Sequence, residues 1–292
     1  MSRKRISEVL KERFGCKVYK LSLDAGLTCP NRDGTKGFGG CIFCSGRGSG
    51  EFAEGPCGSI AAQLEKAKKR VEEKVGDGKY LAYFQSFSNT YGDINYLRKI
   101  YFEAIAPEDI VGLAIATRPD CVSEDVLSLL KEVNEIKPVW VELGLQTADD
   151  EVGKYIRRGY STADFADAVK RLHSAGIETV AHIIIGLPGD DPVKTAKYLS
   201  DVGVDGVKFH LLHIIKGTEL EKEYEKGAVT PLTLEEYTEI LKNCISVLRE
   251  EVIIHRLTGD GDKKTLVAPL WSGDKKRVLN HVNKALGGFD NA

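Results

Sequence analysis

Short apolar runs alternate with longer amphipathic stretches along most of the chain. Six runs rich in Val, Ile, Leu or aromatic residues predict β-strands at residues 17–23, 80–85, 111–117, 139–145, 179–186 and 206–215. Apolar positions three or four residues apart predict helices at residues 60–74, 123–135, 161–175, 191–202 and 233–250. Capping residues support these helices: Ser123 stands at the start of the second helix, and Gly176 follows the third.

This alternation of strands and helices with short connections is typical of βαβ units, in which the strands are parallel. Six strand–helix pairs are too few for a closed eight-fold barrel. The expected fold class is therefore α/β, a partial (β/α)6 TIM-like barrel of parallel strands with a short C-terminal extension. We assign residues 1–250 to the partial barrel, with a loop at 24–50 after its first strand, and residues 251–292 to an extension that closes it. Ligands of such folds bind at the carboxyl ends of the strands.

The composition is that of an ordinary globular protein. Of 292 residues, 42% are hydrophobic and 29% are charged, and the formal net charge is −2. No apolar run approaches the roughly 18 residues of a membrane span, so no membrane partner is expected. Seven cysteines without a secretion signal indicate a reducing compartment, and the protein is expected in the cytoplasm. The near-neutral charge permits a nucleic-acid partner without requiring one, because the basic groups at 263–264 and 275–277 are also typical of solvated surfaces.

Three cysteines stand close together in the loop at 24–50. Cys29 and Cys41 are separated by eleven residues, Cys41 and Cys44 by two, and glycines surround the last pair. Three thiolates can bind three irons of a [4Fe-4S] cluster and leave the fourth iron open to a chelating substrate. The same cysteines together with Cys57 also fit a structural zinc site, so both possibilities remain at this point.

The cysteine loop and several other segments resemble one enzyme family. The loop contains Cys-Pro-Asn-Arg-Asp-Gly at 29–34 and Gly-Gly-Cys-Ile-Phe-Cys at 39–44. Further matching segments cover nearly the whole chain, at residues 83–91, 117–121, 142–147, 182–189 and 255–260. Together they resemble the radical S-adenosylmethionine (radical SAM) superfamily, and in particular its YhcC/YtqA-like branch. That branch is related to the radical SAM domain of the Elongator catalytic subunit and has been linked to modification of the wobble uridine of tRNA.

The resemblance implies a set of cofactor contacts. Cys29, Cys41 and Cys44 are implied to hold a [4Fe-4S] cluster, whose fourth iron binds SAM. One electron, from a donor such as a flavodoxin or ferredoxin, then cleaves SAM to methionine and a 5′-deoxyadenosyl radical that takes hydrogen from the substrate. The implied SAM contacts are Phe43 at the adenine, Ser88 and Asn89 at the amino group, Gln146 and His182 at the ribose, Arg158 at the carboxylate, and the backbone of Gly186 and Leu187 at the adenine.

The predicted sixth strand carries polar residues that are unusual inside a sheet. Alternation places Lys208 and His210 on one face and His213 on the other, which argues against a metal site shared by the histidines. We assign to Lys208, His210 and His213 a catalytic role in proton transfer or substrate anchoring. The segment 255–260 and Trp271 are expected to close the open side of the barrel and to shape the substrate pocket.

The resemblance implies a radical SAM enzyme that acts on tRNA, at the C5 side chain of the wobble uridine. The implied reaction trims a carboxymethylaminomethyl group to an aminomethyl group. One alternative keeps the radical chemistry and replaces tRNA by a small metabolite or a peptide. A second alternative is a binding protein without enzymatic activity, stabilised by zinc on four cysteines.

Overall fold

The computed structural model describes residues 3–48, 58–259 and 261–287, and Cys57 and Asp260 lie outside the described residues. The strands are β1 (Val18–Leu23), β2 (Lys79–Phe84), β3 (Ile110–Thr117), β4 (Val139–Gln146), β5 (Glu178–Ile185), β6 (Gly206–Leu211), β7 (Ile214–Ile215), β8 (Ile253–Arg256) and β9 (Leu266–Ala268). The helices are α1 (Ile6–Phe14), α2 (Ile60–Val75), α3 (Ile94–Ile105), α4 (Glu124–Ile136), α5 (Asp150–Tyr155), α6 (Thr162–Ser174), α7 (Pro192–Val202), α8 (Glu219–Glu225), α9 (Leu234–Val247) and α10 (Lys275–Ala285).

Seven parallel strands form one sheet in the order β1-β2-β3-β4-β5-β6-β8. The sheet curls into a half-barrel, which confirms the predicted partial barrel. The six predicted strands are present, and the seventh, β8, comes from the segment assigned to the C-terminal extension. The boundary at residue 250 stays a prediction, and β8 continues the same sheet across it.

The outer face of the sheet is covered by helices. Every residue of β3 is buried, as in other parallel strands that are enclosed on both sides. The helices α2, α3, α4, α6, α7 and α9 pack their apolar faces on the outward side chains of the strands in one large core. Ser123 begins α4 as predicted, because its Oγ accepts a hydrogen bond of 3.3 Å from the amide of Val126. None of the described helices is long and apolar enough to cross a membrane.

The inner face of the sheet has an apolar lower half and a polar upper half. Leu10 of α1 belongs to an apolar cluster with Leu81, Trp140 and Val180 on the inner face. The helix α1 therefore closes the interior at one end. Above this cluster the inward-facing positions are mostly polar, so the upper half of the interior can hold polar ligands.

The predicted sixth strand is two strands in the structure. β6 ends at Leu211, and after a short break β7 pairs antiparallel with β9 in a separate two-stranded sheet. The chain therefore leaves the half-barrel before His213, which lies in that break.

Candidate active site

A cavity of about 280 Å³ opens at the carboxyl ends of the parallel strands, where ligands bind in folds of this class. The loop that carries the cysteines forms one side of the cavity, and the inner face of the sheet forms the other. The predicted residues on its wall are Cys29, Cys41, Phe43, Cys44, Ser88, Gln146, His182, Lys208, His210 and His213. The structure therefore brings together most of the residues singled out in the sequence.

The cysteine loop is held by tight turns and by Arg32. Gly39 and Gly40 have φ angles of 78° and 86°, in the left-handed region that glycine adopts without strain. A Cβ on Gly40 would lie 2.9 Å from Arg32 Nε, so a larger residue would displace the guanidinium. Arg32 in turn donates a hydrogen bond of 3.1 Å to the carbonyl of Cys44. These contacts fix the two last cysteines of the loop relative to each other.

Asn31 connects the cysteine loop to the segment after α5. Its Nδ2 donates to the carbonyls of Arg157 and Arg158, at 2.7 and 3.0 Å, and lies 3.8 Å from Cys41 Sγ. Burial, together with the nearby Cys44 thiol, raises the pKa of Cys41 to about 12. A thiol in such surroundings becomes a thiolate when a bound cation compensates its charge. The loop is therefore suited to thiolates that share their site with a positively charged group.

The described cysteines do not converge on one point. Among residues 3–48, 58–259 and 261–287, no three His, Cys, Asp or Glu side chains are placed to hold a single metal ion. In a cubane cluster each thiolate binds a different iron, so its ligands need not converge. A four-cysteine zinc site needs every sulfur about 2.3 Å from one ion. Cys57, the fourth cysteine of that alternative, lies outside the described residues.

Glu142 is a fully buried carboxylate on the inner face of β4. Its Oε1 accepts a hydrogen bond of 2.6 Å from Lys20 Nζ on β1. Its Oε2 accepts one of 3.0 Å from His182 Nε2 on β5 and another from Lys208 Nζ on β6. Burial alone would raise the pKa of Glu142, but Lys20 and Lys208 hold it well below its usual range. The ionised carboxylate therefore links four strands across the half-barrel.

The imidazoles on the inner face are neutral. Burial lowers the pKa of His182 to about 4 and lowers the pKa values of His210 and His255 well below the usual range. The ring centroids of His182 and His210 lie 5.0 Å apart. Because His182 Nε2 faces the Glu142 carboxylate, we assign the ring proton to Nε2, which leaves Nδ1 as an acceptor. His182 therefore offers hydrogen-bonding capacity without a charge.

Gln146 adopts an unusual backbone conformation at the end of β4. Its φ angle is 62°, a value that residues with a Cβ rarely adopt. The Tyr160 hydroxyl lies 2.8 Å from Gln146 Oε1 and 2.8 Å from the carbonyl of Gly144. A Cβ on Gly144 would lie 2.6 Å from Gln146 Nε2, so the glycine leaves the space that this side chain occupies. The strained residue is thus held in place on the cavity wall by its neighbours.

Arg158 is bonded within the fold, and its predicted contact with the SAM carboxylate stays a prediction. Its side chain is 1% exposed and absent from the cavity wall. The guanidinium donates hydrogen bonds of 2.6 to 2.9 Å to the carbonyls of Leu145, Thr147 and Tyr160 and to Asp150 Oδ1. These bonds use most of its N–H groups. Arg158 therefore stabilises the fold of the segment after β4.

Three other predicted SAM contacts also lie away from the cavity wall. Asn89 is fully buried, and its Nδ2 donates to the carbonyls of Phe84 and Ala116, at 3.2 and 2.9 Å, which joins the end of β2 to β3. Gly186, with a φ angle of 102°, turns the chain out of the sheet. The turn directs Leu187 into an apolar cluster, where it is buried. Asn89, Gly186 and Leu187 are therefore not part of the cavity lining, and their predicted contacts with SAM stay predictions.

The predicted placement of His213 on the opposite face is wrong. Strand alternation ends with β6 at Leu211, because the chain turns before β7. His213 consequently lines the cavity together with Lys208 and His210. A Cβ on Gly259 would lie 3.4 Å from His210 Nδ1 and 3.5 Å from His213 Cε1, so the two rings flank this glycine.

The sequence reasoning missed four polar residues of the inner face. Tyr83, Glu142 and Arg256 line the cavity, and Lys20 bonds to Glu142 below it. A signal was present for Glu142, which is the charged residue inside the otherwise apolar run 139–145. A charge at such a position needs compensation in the fold, and the parity of the strand places it inward.

Family models match two adjoining parts of the chain. The model for the Radical SAM superfamily matches residues 29–202, and that for the Radical_SAM C-terminal domain matches residues 204–287. YtqA of Bacillus subtilis is 44% identical over 280 residues, which is 95% of this chain and 87% of that protein. A tRNA uridine(34) acetyltransferase of Methanocaldococcus jannaschii is 30% identical over 181 residues, 59% of this chain and 32% of that protein.

The fold is similar to that of archaeal Elp3 from Methanocaldococcus infernus. The TM-score is 0.68 at 21% sequence identity, and the match covers 91% of this chain and 63% of the Elp3 chain. At this identity the likeness concerns the fold alone, and the chain spans less than two thirds of Elp3. The family model and YtqA each match more than half of the chain, and they confirm the resemblance seen in the sequence. The chain therefore belongs to the radical SAM superfamily, whose enzymes use a [4Fe-4S] cluster and SAM.

Proposed function

We propose that this radical SAM enzyme acts on tRNA, at the C5 side chain of the wobble uridine, and trims a carboxymethylaminomethyl group to an aminomethyl group. The observation that carries the choice of tRNA is the 30% identity to a tRNA uridine(34) acetyltransferase over 59% of this chain. The name of that relative places its substrate at the same nucleotide. Membership of an enzyme superfamily also favours this function over the zinc-stabilised binding protein.

We assign the cluster to Cys29, Cys41 and Cys44. Their thiols share one side of the cavity, and the Asn31 amide beside Cys41 Sγ is a donor of the kind that stabilises negative charge on a ligating sulfur. Three thiolates suit a cubane cluster that leaves one iron to SAM. When bound, the cluster and SAM would supply one-electron reduction, with a donor such as a flavodoxin or ferredoxin, and hydrogen-atom abstraction from the substrate. SAM would be the two-electron oxidant of the trimming and water the co-reactant, so the carboxymethyl carbons would leave as glyoxylate.

We assign Phe43, Ser88, Gln146 and His182 to the binding of SAM. They lie on the wall that runs from the cysteine loop to β5. The neutral His182 and the amide of Gln146 can accept from and donate to ribose hydroxyls, and Phe43 presents an aromatic face to the adenine. Both polar side chains are fixed by neighbours, His182 by Glu142 and Gln146 by the Tyr160 hydroxyl.

We assign Lys208, His210 and His213 to the substrate, on the part of the wall formed by β6 and the turn after it. Lys208 Nζ is bonded to Glu142 and lies 3.4 Å from the Tyr83 hydroxyl, so its position is fixed before a ligand enters. His210 Nε2 is buried and has no hydrogen-bond partner among the described residues. A neutral imidazole with a free nitrogen can hold or move a proton at that atom.

A basic surface beside the cavity supports a polyanionic substrate. Asp262 is part of the cavity wall, and the next two residues, Lys263 and Lys264, are exposed. Lys263 Cγ lies 3.8 Å from the position of a Cβ on Gly273, which brings it next to the start of α10. We name the exposed cations of the two segments the basic rim: Lys263, Lys264, Lys275, Lys276 and Arg277. Phosphates that bind there would bring an adjacent base to the cavity.

Charge reversal in the basic rim tests the tRNA proposal. The triple variant Lys263→Glu/Lys264→Glu/Lys276→Glu should bind tRNA at least ~10-fold more weakly and lower the slope of log Kd against log salt by roughly two to three. The matched control reverses three exposed lysines on the outer helices α2, α4 and α6, and should bind tRNA as the wild type does. The control positions are Lys69, Lys131 and Lys170.

Modification profiling tests the reaction in cells. In tRNA from a strain without this gene, the wobble uridine should retain the carboxymethylaminomethyl group and lack the aminomethyl group. An unchanged profile, together with tRNA binding that does not depend on salt, would reject tRNA as the substrate and favour a small metabolite or a peptide.

A further inference from the structure

Arg256 is a cation of the cavity wall that has no counter-ion among the described residues. It ends β8, lies opposite Lys208 of β6 in the strand register, and lines the cavity. No residue in the described part of the chain accepts a hydrogen bond from its guanidinium. A guanidinium presents its N–H groups in a planar fork that matches a carboxylate. Such a group is suited to an anion that enters the cavity from outside.

Both described carboxylates of the cavity wall already accept hydrogen bonds from groups other than Arg256. Glu142 already accepts from three donors on β1, β5 and β6. Asp262 accepts from the amide of Lys264 at 3.2 Å and from Thr265 Oγ1 at 3.3 Å, within its own loop. Neither carboxylate therefore neutralises Arg256.

Positive charge exceeds negative charge in this part of the interior. Lys20 and Lys208 contact the buried carboxylate of Glu142, and Arg256 lines the same cavity. The adjacent His210 is neutral because it is buried, and its Nε2 lacks a partner among the described residues. A negative group between Arg256 and His210 would compensate the excess charge and give the buried His210 Nε2 a hydrogen-bond partner.

We propose that Arg256, with Lys208 and His210 beside it, forms a subsite for the carboxylate of the substrate's C5 side chain. The inference rests on the proposed function, in which the group to be trimmed ends in a carboxylate. The subsite would hold that end while the methylene carbons next to it face the cofactor side of the cavity.

Size and position favour this carboxylate over two other anions. A cavity of about 280 Å³ admits the end of a side chain, whereas a phosphodiester would have to enter with two sugars attached. The carboxylate of SAM is expected near the cysteine loop, because the assigned SAM contacts run from that loop to Gln146 and His182 on β4 and β5. Arg256 lies at the opposite edge of the sheet, on β8.

Binding of three small ligands to the holoenzyme with SAM tests the proposal. The ligands are 5-carboxymethylaminomethyluridine, 5-aminomethyluridine and uridine 5′-monophosphate, which separate the carboxylate from the phosphate. The wild type should bind the first at least ~10-fold more tightly than the second. Arg256→Gln should abolish this preference, and Arg256→Lys should retain part of it, because it keeps the charge without the planar fork. The matched control Arg98→Gln, at an exposed arginine of α3, should keep the full preference.

Three results would overturn the proposal. In the first, the wild type binds the ligands with and without the carboxylate equally tightly. In the second, Arg256→Gln weakens only the binding of uridine 5′-monophosphate. In the third, Arg256→Gln weakens the binding of SAM by the same factor as that of the carboxylate ligand. The second would assign Arg256 to a phosphate and the third to SAM. Failure of the proposed function shows itself separately, as an unchanged wobble uridine in the strain without the gene, a result that does not involve Arg256.

Discussion

Lys20 on β1 and Glu142 on β4 form an ion pair of 2.6 Å, although β2 and β3 lie between them in the sheet. The two side chains meet because the sheet curls and its inner face becomes a concave wall. Lys208 reaches the same carboxylate from β6 on the other side. The polar interior of the half-barrel therefore supports the curvature of the sheet as well as the shape of the cavity.

Removing the negative charge of this network should destabilise the protein strongly. Glu142→Gln keeps the side-chain shape but leaves Lys20 and Lys208 without a counter-charge in a buried site. We expect the free energy of unfolding, measured by urea denaturation, to fall by about 3–5 kcal/mol. The control is Glu132→Gln, which breaks an exposed ion pair with Arg98 and should lower the free energy of unfolding far less. Equal losses in the two variants would show that the network does not hold the sheet together.

Arg158 should matter for stability and not for SAM. In Arg158→Lys the buried carbonyl of Thr147 loses its guanidinium donor, and that of Leu145 keeps only the amide of Thr147. An unpaired buried carbonyl costs about 1–3 kcal/mol, and a lost hydrogen bond about 1 kcal/mol. We therefore expect the free energy of unfolding to fall by about 2–4 kcal/mol, with the Kd for SAM of the folded protein within ~3-fold of the wild type. An affinity loss of ~10-fold or more at unchanged stability would restore the predicted pairing with the SAM carboxylate.

Each assigned cluster ligand should be individually essential. Replacing Cys29, Cys41 or Cys44 with Ala should remove the iron, the sulfide and the visible absorbance gained on anaerobic reconstitution, because two thiolates are too few to hold the cubane. Cys57→Ala should retain all three signals, as should the control Cys16→Ala. Iron and sulfide analysis measures the outcome. Loss of metal in Cys57→Ala would point to the four-cysteine site of the zinc alternative.

The strands and the cysteine loop could be predicted because they depend on local sequence. The apolar run of β3 and the spacing of Cys41 and Cys44 are each visible within a few residues. The helices α5 and α8 gave no comparable pattern, because they have six and seven residues and complete at most two turns. Their positions follow from the packing of the loops around the cavity.

The missed part of the site depends on contacts that are distant in sequence. Lys20 and Glu142 are 122 residues apart and meet only in the curled sheet. Arg158 matched a pattern in the sequence, but the carbonyls that surround it are set by the turn after β4. Alternation predicted the inward placement of Lys208 and His210 and failed for His213, because it applies only within a regular strand.

His182 should give the stability of the protein a specific pH dependence. Burial lowers its pKa in the folded protein to about 4, from 6.5 in an unfolded chain. Between these values the unfolded chain binds more protons than the folded one. The free energy of unfolding therefore falls as the pH decreases from 6.5 towards 4, by at most about 1.4 kcal/mol per pH unit for this residue. Above pH 6.5 His182 is neutral in both states, and its contribution to stability no longer changes with pH. His210 and His255 contribute in the same direction.

Replacing the imidazole of His182 measures how much of the pH dependence of stability comes from this residue. His182→Gln keeps a donor for Glu142 and removes the titrating group, so urea denaturation at a series of pH values should show a smaller loss of stability between pH 6.5 and 4 than in the wild type. Above pH 6.5 the curves of the two proteins should run parallel, because a neutral imidazole takes up no proton on unfolding there. An unchanged slope below pH 6.5 would mean that the folded protein protonates His182 as readily as the unfolded chain does. The Glu142 carboxylate would then pair with an imidazolium, and a cationic His182 would face the ribose of SAM.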